Sequence, residues 1–216
     1  HHRVLVPELP GWGESEALPE GQSYAVTDAA LQDALIEAGV GRAAILGYSL
    51  GGRRALDLAL SGAFDFRCVY LLSTFTAAPS PELRTQYREY AELARTAEDL
   101  RPAVRDLYLP AEYAAAHPDV HDEVTDWVHA CPRDVFAREL DAVAELPNLL
   151  PRLPALDVPV VARSGKLDIA APSEWSRQII DVVPHGRLEL VDDCGHVLLY
   201  EDREATIASV MNAVRA

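Results

Sequence analysis

The 216-residue sequence has no apolar run of membrane-spanning length and no stretch patterned like a signal peptide. It also has no run rich in lysine or arginine, and its formal net charge is −15. Nucleic acid and anionic membrane are therefore not expected as partners. Cysteine is scarce. Cys68, Cys131 and Cys194 are an odd number at wide spacing. That argues against a disulfide framework and for a reducing, cytoplasmic setting. No two of them have the spacing of a zinc knuckle. His117 and His121 have a helical metal-ligand spacing. However, Pro118 marks a helix start between them and no third ligand is evident, so neither a metal nor an organic cofactor is expected. The chain begins His1-His2 without an initiator methionine, which reads as a tag remnant or as the first residues kept from a longer chain.

What is present suits a globular domain. Charged residues make up 25% and hydrophobic ones 49%, and the length allows one full core plus a small insertion. "RVLV" (3–6) reads as a buried strand, followed by the proline- and glycine-rich loop "PELPGWGES". Residues 24–40 carry a helical apolar pattern at Ala30, Leu31, Ala34, Leu35 and Ala38. Then come a strand at 42–47, a helix at 50–62 ending on a glycine, and a strand at 67–73. Residues 76–150 are helical, polar and punctuated by proline, with no convincing strand. A strand (157–165), helix (173–183), strand (187–191) and helix (203–214) complete the chain. Strands alternating with helices predict right-handed crossovers and a mostly parallel sheet flanked by helices. The expected division is a core of 1–75 and 151–216, with 76–150 as a helical insertion.

Functional residues of such sheets gather just past the carboxyl ends of the strands. Ser49 follows the 42–47 strand in "ILGYSLGGRR", Asp168 follows the 157–165 strand, and His196 follows the 187–191 strand. A serine hydroxyl becomes a useful nucleophile when a base takes its proton. Histidine titrates near neutrality and suits that task. A buried carboxylate fixes the imidazole tautomer and stabilises the imidazolium. Asp192 and Asp193 are too close in sequence to His196 to reach behind its ring. Gly47 and Gly51 are expected because a tight strand-to-helix turn leaves no room for side chains. The Leu50 N–H, at the positive end of the following helix, is a candidate oxyanion donor. The G-x-S-x-G pattern alone arises by chance in roughly one chain of this length in fifteen. The strand before it, the helix after it and the order Ser, Asp, His give it force.

These segments resemble the α/β-hydrolase superfamily, in its branch with a helical cap, over essentially the whole chain. "PELPGWGES" is similar to the family's D-x-P-G-x-G-x-S loop, with Glu8 for the usual Asp. "GYSLGG" resembles the nucleophile elbow, and "SGKLDIAAP" the acid loop G-x-x-D-x-x-x-P. "DDCGHVLLYEDRE" resembles the G-H-x-x-x-x-E-x-P stretch, with Arg203 where proline is common. The resemblance implies an α/β-hydrolase fold whose cap, 76–150, shapes the pocket. It implies hydrolysis of a small or medium carboxylic ester, lactone or thioester through an acyl-serine. It also implies an upstream strand ending in His-Gly, whose following loop gives the second oxyanion donor. That strand would lie between 3–6 and 42–47, so the chain reads as a fragment of a longer hydrolase.

Tyr48, Arg53, Trp12 and Trp127 are candidate contacts for a small-molecule substrate. The elbow "GYSLGGR" is also similar to that of the menaquinone-pathway SHCHC synthases, which eliminate pyruvate. A lyase or C–C hydrolase, with Arg53 holding a substrate carboxylate, is therefore one alternative. Against it, the spacing lets Arg53 pair with Asp57 four residues on. Perhydrolysis by the same three residues is another alternative, and a non-catalytic binding protein or inactive fragment a third. Residues 76–150 carry 15 Asp or Glu against 7 Lys or Arg, which disfavours strongly anionic substrates.

Overall fold

The computed structural model describes residues 3–18, 23–76 and 79–215. It divides into two compact units. One gathers the N-terminal segment up to Gly41 with Pro79–Glu98 and Ala130–Leu146. Its helices are α1 (Tyr24–Glu37), α3 (Pro81–Thr96) and α7 (Arg133–Ala144). The other holds β1 (Arg42–Tyr48), α2 (Leu50–Ser61) and β2 (Asp65–Leu72), then α4 (Arg101–Val104), α5 (Ala111–Ala116) and α6 (Pro118–Ala130), and last β3 (Val160–Gly165), α8 (Ser173–Ile180), β4 (Gly186–Val191), α9 (Leu198–Glu201) and α10 (Arg203–Ala213). The 76–150 segment thus supplies helices to both units.

The sheet has the order β1-β2-β3-β4 and is parallel throughout. Its register pairs Tyr48 with Leu72, Leu72 with Arg163, and Gly165 with Val191. All four carboxyl ends therefore come out on one edge. Strand alternation sorts the central strands onto two faces. Val69, Leu71, Val160 and Ala162 pack with Leu56, Leu153 and Ile179 on one side. Cys68, Tyr70, Leu72 and Val161 pack with Leu198 and Ala213 on the other. Fully burying a side chain such as Leu71 is worth about 1.5–3 kcal/mol. That both faces are covered explains why "CVYLL" reads as a continuous apolar run.

Buried polar groups tie the last helix to the sheet. Arg163 of β3 donates to Glu189 Oε2 (2.7 Å), to Thr206 Oγ1 (3.2 Å) and to Asp202. Ser209 donates to the same Glu189 oxygen (2.6 Å) and accepts from the Tyr70 hydroxyl (2.8 Å). Each polar atom removed from water here gains a partner, as burial demands.

Two sequence expectations need correction. Residues 3–6 form no strand, and Val4 and Val6 are 76% and 84% exposed. An apolar run as short as Val4–Val6 holds strand geometry only within a ladder, and among the described residues none pairs with it. Helix α1 stops at Glu37 instead of reaching Val40. Gly39 enters the left-handed region (φ 71), its N–H bonds Ile36 O, and the Val40 N–H bonds Leu35 O. That closing motif outweighs the apolar periodicity continuing past it.

Candidate active site

β1 becomes α2 across a single residue. Ser49 has φ 51 and ψ −122, a conformation that costs a non-glycine residue about 1–3 kcal/mol. The surroundings hold it there. Its N–H donates to Leu72 O (2.9 Å), and its carbonyl accepts from Thr74 Oγ1 (2.6 Å) and from the Gly52 N–H (3.0 Å). A Cβ on Gly47 would collide with the Gly51 backbone, and one on Gly52 with the Thr74 side chain. Gly51, expected to be the crowded partner, would meet nothing within 4 Å. The turn therefore needs glycine at 47 and 52. The Ser49 side chain makes no capping bond to α2, so its hydroxyl is not spent on the helix. The Leu50 N–H is one of the first donors of α2, where an intrahelical acceptor is lacking.

Asp168 and His196 meet past β3 and β4. The His196 Nδ1–H donates to Asp168 Oδ2 at 2.8 Å, with side-chain exposures of 3% and 0%. The second carboxylate oxygen, Oδ1, accepts from the Ala171 N–H at 2.8 Å. Both oxygens are thus satisfied, and the imidazole orientation is fixed by a buried acceptor. The rival acids lie elsewhere: Asp192 pairs with Lys166 (2.5 Å), and Asp193 is exposed with φ 57. The two loops are packed on each other. The Leu167 N–H donates to Cys194 O and the Lys166 N–H to Val191 O, both at 2.9 Å.

Two residues around His196 lie outside the expected set. Tyr108 accepts the His196 N–H through its carbonyl (3.0 Å) and lays its ring 5.5 Å from the imidazole. Glu201 accepts from the N–H groups of Gly195 and Val197. Tyr108 carries no sequence signal, because it approaches from the helical segment. Glu201 had one, the glutamate of the G-H-x-x-x-x-E pattern. Burial pushes the Glu201 carboxyl above its usual value, offset in part by the two N–H donors. Burial likewise raises the Cys194 thiol to about 11, so this neighbour of the site stays protonated and unreactive near neutrality.

The candidate substrate contacts are distributed unevenly. The Tyr48 ring lies 5.0 Å from the His196 ring, tilted by 44°. Tyr48 is 36% exposed over its whole surface, yet its phenol is held above the usual range by the desolvated surroundings of the hydroxyl, then by Tyr108, Asp168 and Glu201. Trp127 is half exposed and packs on Tyr200 (5.5 Å). Trp12 belongs to the other unit, edge-on to Phe136 (6.5 Å). Arg53 is 1% exposed. Its Nε donates to Asp57 (2.8 Å), and one terminal nitrogen donates to the carbonyls of Pro147 (3.0 Å) and Thr76 (3.2 Å). In the other unit, Glu8 braces its own loop by accepting the Glu14 N–H (2.8 Å), over Gly13 at φ 58. The ring nitrogens of His117 and His121 bond Tyr113 O and Arg105 O. Among the described residues no group of three or more His, Cys, Asp or Glu could hold a metal ion, and no helix is long and apolar enough to cross a membrane.

Comparison with known proteins places the chain in a family. The chain is 29% identical to the 2-succinyl-6-hydroxy-2,4-cyclohexadiene-1-carboxylate synthase of Pectobacterium atrosepticum, over 77% of this chain and 68% of that one. It is 26% identical to the pimeloyl-(acyl-carrier protein) methyl ester esterase of Vibrio cholerae, over 95% and 81%. Among solved structures, a thermophilic esterase from Thermogutta terrifontis shares the fold with a TM-score of 0.87 at 23% identity, over 96% of this chain and 77% of that chain. The family model described as the alpha/beta hydrolase family matches residues 1–209. The chain belongs to the α/β hydrolase family.

Proposed function

We propose that this chain is a serine hydrolase acting on a small or medium carboxylic ester, lactone or thioester. The observation that carries the reading is the buried His196 Nδ1–Asp168 Oδ2 hydrogen bond at 2.8 Å. It sits on the sheet edge where Ser49 caps β1 in a strained turn. A carboxylate-oriented histidine on the same sheet edge as a serine whose hydroxyl does not cap its own helix is what supports this reading, because such a base can activate a hydroxyl.

In this reading Ser49 Oγ attacks the carbonyl carbon while His196 Nε2 takes the hydroxyl proton. Asp168 stabilises the imidazolium without accepting that proton. The Leu50 N–H, aided by the positive end of α2, donates to the developing oxyanion. The tetrahedral intermediate collapses as the C–O or C–S bond to the leaving group breaks. His196 passes its proton to that alkoxide or thiolate and leaves an acyl-Ser49 ester. Water, deprotonated by His196, then attacks the ester, and Ser49 leaves as the alkoxide and is reprotonated. No step requires a metal or organic cofactor. The 76–150 helices are read as the cap, with Tyr48 and Trp127 offering apolar surface to the acyl or leaving group.

The methyl ester esterase relative favours ester substrates. The synthase relative favours a second reading, elimination or C–C cleavage on the same three residues. Arg53, the residue that would hold a substrate carboxylate in that reading, is bound to Asp57 and two carbonyls instead. A panel of p-nitrophenyl esters of two to eight carbons, with aliphatic lactones, tests the assignment. Turnover that Ser49→Ala abolishes supports it. No turnover of any ester or lactone, alongside Ser49-dependent turnover of a 2-hydroxy-6-oxo-dienoate, would favour the second reading.

A further inference from the structure

Three consecutive backbone N–H groups at the candidate base are held from outside their own loop. The Gly195 N–H and Val197 N–H donate to the two oxygens of Glu201, the latter at 2.7 Å. Between them the His196 N–H donates to Tyr108 O at 3.0 Å. Space is tight on the same side: a Cβ on Gly195 would lie 2.7 Å from Pro110 Cδ. Leu109 and Val124 pack on Val197. The rings of Tyr48 and Tyr108 also lie close to the imidazole, at 5.0 and 5.5 Å. The loop therefore has little freedom, and Glu201 is a side chain that fixes its backbone on both flanks of His196.

We propose that Glu201 is a positioning residue for the reaction, its two carboxylate oxygens clamping the backbone on either side of His196 so that the imidazole is aimed at Ser49. The inference rests on the serine-hydrolase reading above. The chemistry of the clamp is specific. A carboxylate offers acceptors at both oxygens, whereas an isosteric amide offers one acceptor and one donor. Glu201→Gln therefore keeps the volume and turns one of the two contacts into donor against donor. A side chain that only fills space tolerates that change. A clamp does not, because displacement of a reacting group by about 1 Å costs on the order of 100-fold in rate.

The test uses a fluorophosphonate probe and p-nitrophenyl butyrate on the full chain. For Glu201→Gln the labelling rate at Ser49 and kcat are expected to fall about tenfold or more. KM is expected to stay within about twofold, because the loss is confined to the transition state. Labelling at long times should still reach one probe per chain, which separates a misaimed base from a misfolded fraction. Glu201→Ala, which removes both acceptors, should be slower still. Hydrogen exchange on the unmodified protein is independent of any variant's folding. The Gly195 and Val197 amides should both exchange slowly. Wild-type labelling rates in Glu201→Gln, or fast exchange at both amides, would overturn the proposal. Absence of labelling in the unmodified protein would instead contradict the nucleophile, and the exchange measurement would still decide the clamp.

Discussion

Gly165 and Gly195 touch across the two loops that carry Asp168 and His196: a Cβ on Gly165 would fall closer than 3.0 Å to the carbonyl oxygens of both Cys194 and Gly195. Asp168 and His196 are thus aligned by backbone contact between their loops as well as by their own hydrogen bond. Gly165→Ala should force the loops apart. The expected cost is about 1–3 kcal/mol of stability and, through misalignment of the pair, on the order of 100-fold in ester hydrolysis. Urea denaturation and p-nitrophenyl butyrate kinetics check both. An alanine variant with full activity would contradict this account of the loop contact.

Ser49 stores strain. At φ 51 and ψ −122 a glycine is at ease where a serine is not. Ser49→Gly should therefore raise stability by about 1 kcal/mol while removing all hydrolysis. A thermal melt of the variant beside the parent reads the sign directly. Destabilisation would mean that the serine side chain contributes packing that outweighs the strain.

Arg53 is a structural tie in this fold. Lysine keeps the charge but lacks the planar fork that reaches Asp57, Thr76 O and Pro147 O together. Arg53→Lys should cost about 1–3 kcal/mol, the penalty of leaving buried carbonyls short of donors, with KM for neutral esters unchanged. A raised KM for carboxylate-bearing substrates with unaltered stability would instead place Arg53 in substrate binding.

Most of the fold and the candidate site could be read from sequence, for physical reasons that differ by residue. Ser49, Asp168 and His196 stand at strand ends, and the strands announce themselves through apolar runs bounded by turn residues. Parallel pairing then brings all three to one edge of the sheet. Residues 3–6 misled because their apolar pattern is compatible with a strand, and pairing depends on a neighbour that local sequence does not specify. Gly51 misled for a similar reason: the motif spacing names it, but the steric contact with Thr74 falls on Gly52. Tyr108 was invisible because its contact with His196 is made by a backbone carbonyl, which every residue possesses. Glu201 sat in a recognisable pattern, yet its partners are main-chain N–H groups, so only geometry gives it a task.

The pH dependence of stability offers a separate check on Glu201. Its folded-state pKa is raised above the ordinary 4.5, chiefly by burial. Its contribution to stability is therefore fully present below that ordinary value and is lost as pH rises through the raised one. Relative to Glu201→Gln, the parent protein should lose melting temperature as pH increases across this range. A parent that gains stability relative to the variant over the same interval would mean that the two N–H bonds outweigh burial.

The central claim is that Ser49 is a nucleophile activated by His196. Its most direct measurement is fluorophosphonate labelling of the full chain, with the modified peptide located by mass spectrometry. The account predicts one probe per chain on Ser49, none on Ser49→Ala, and labelling slowed by about a thousandfold or more in His196→Ala. A parent protein that takes up no probe, or a Ser49→Ala variant that labels as the parent does, would contradict it.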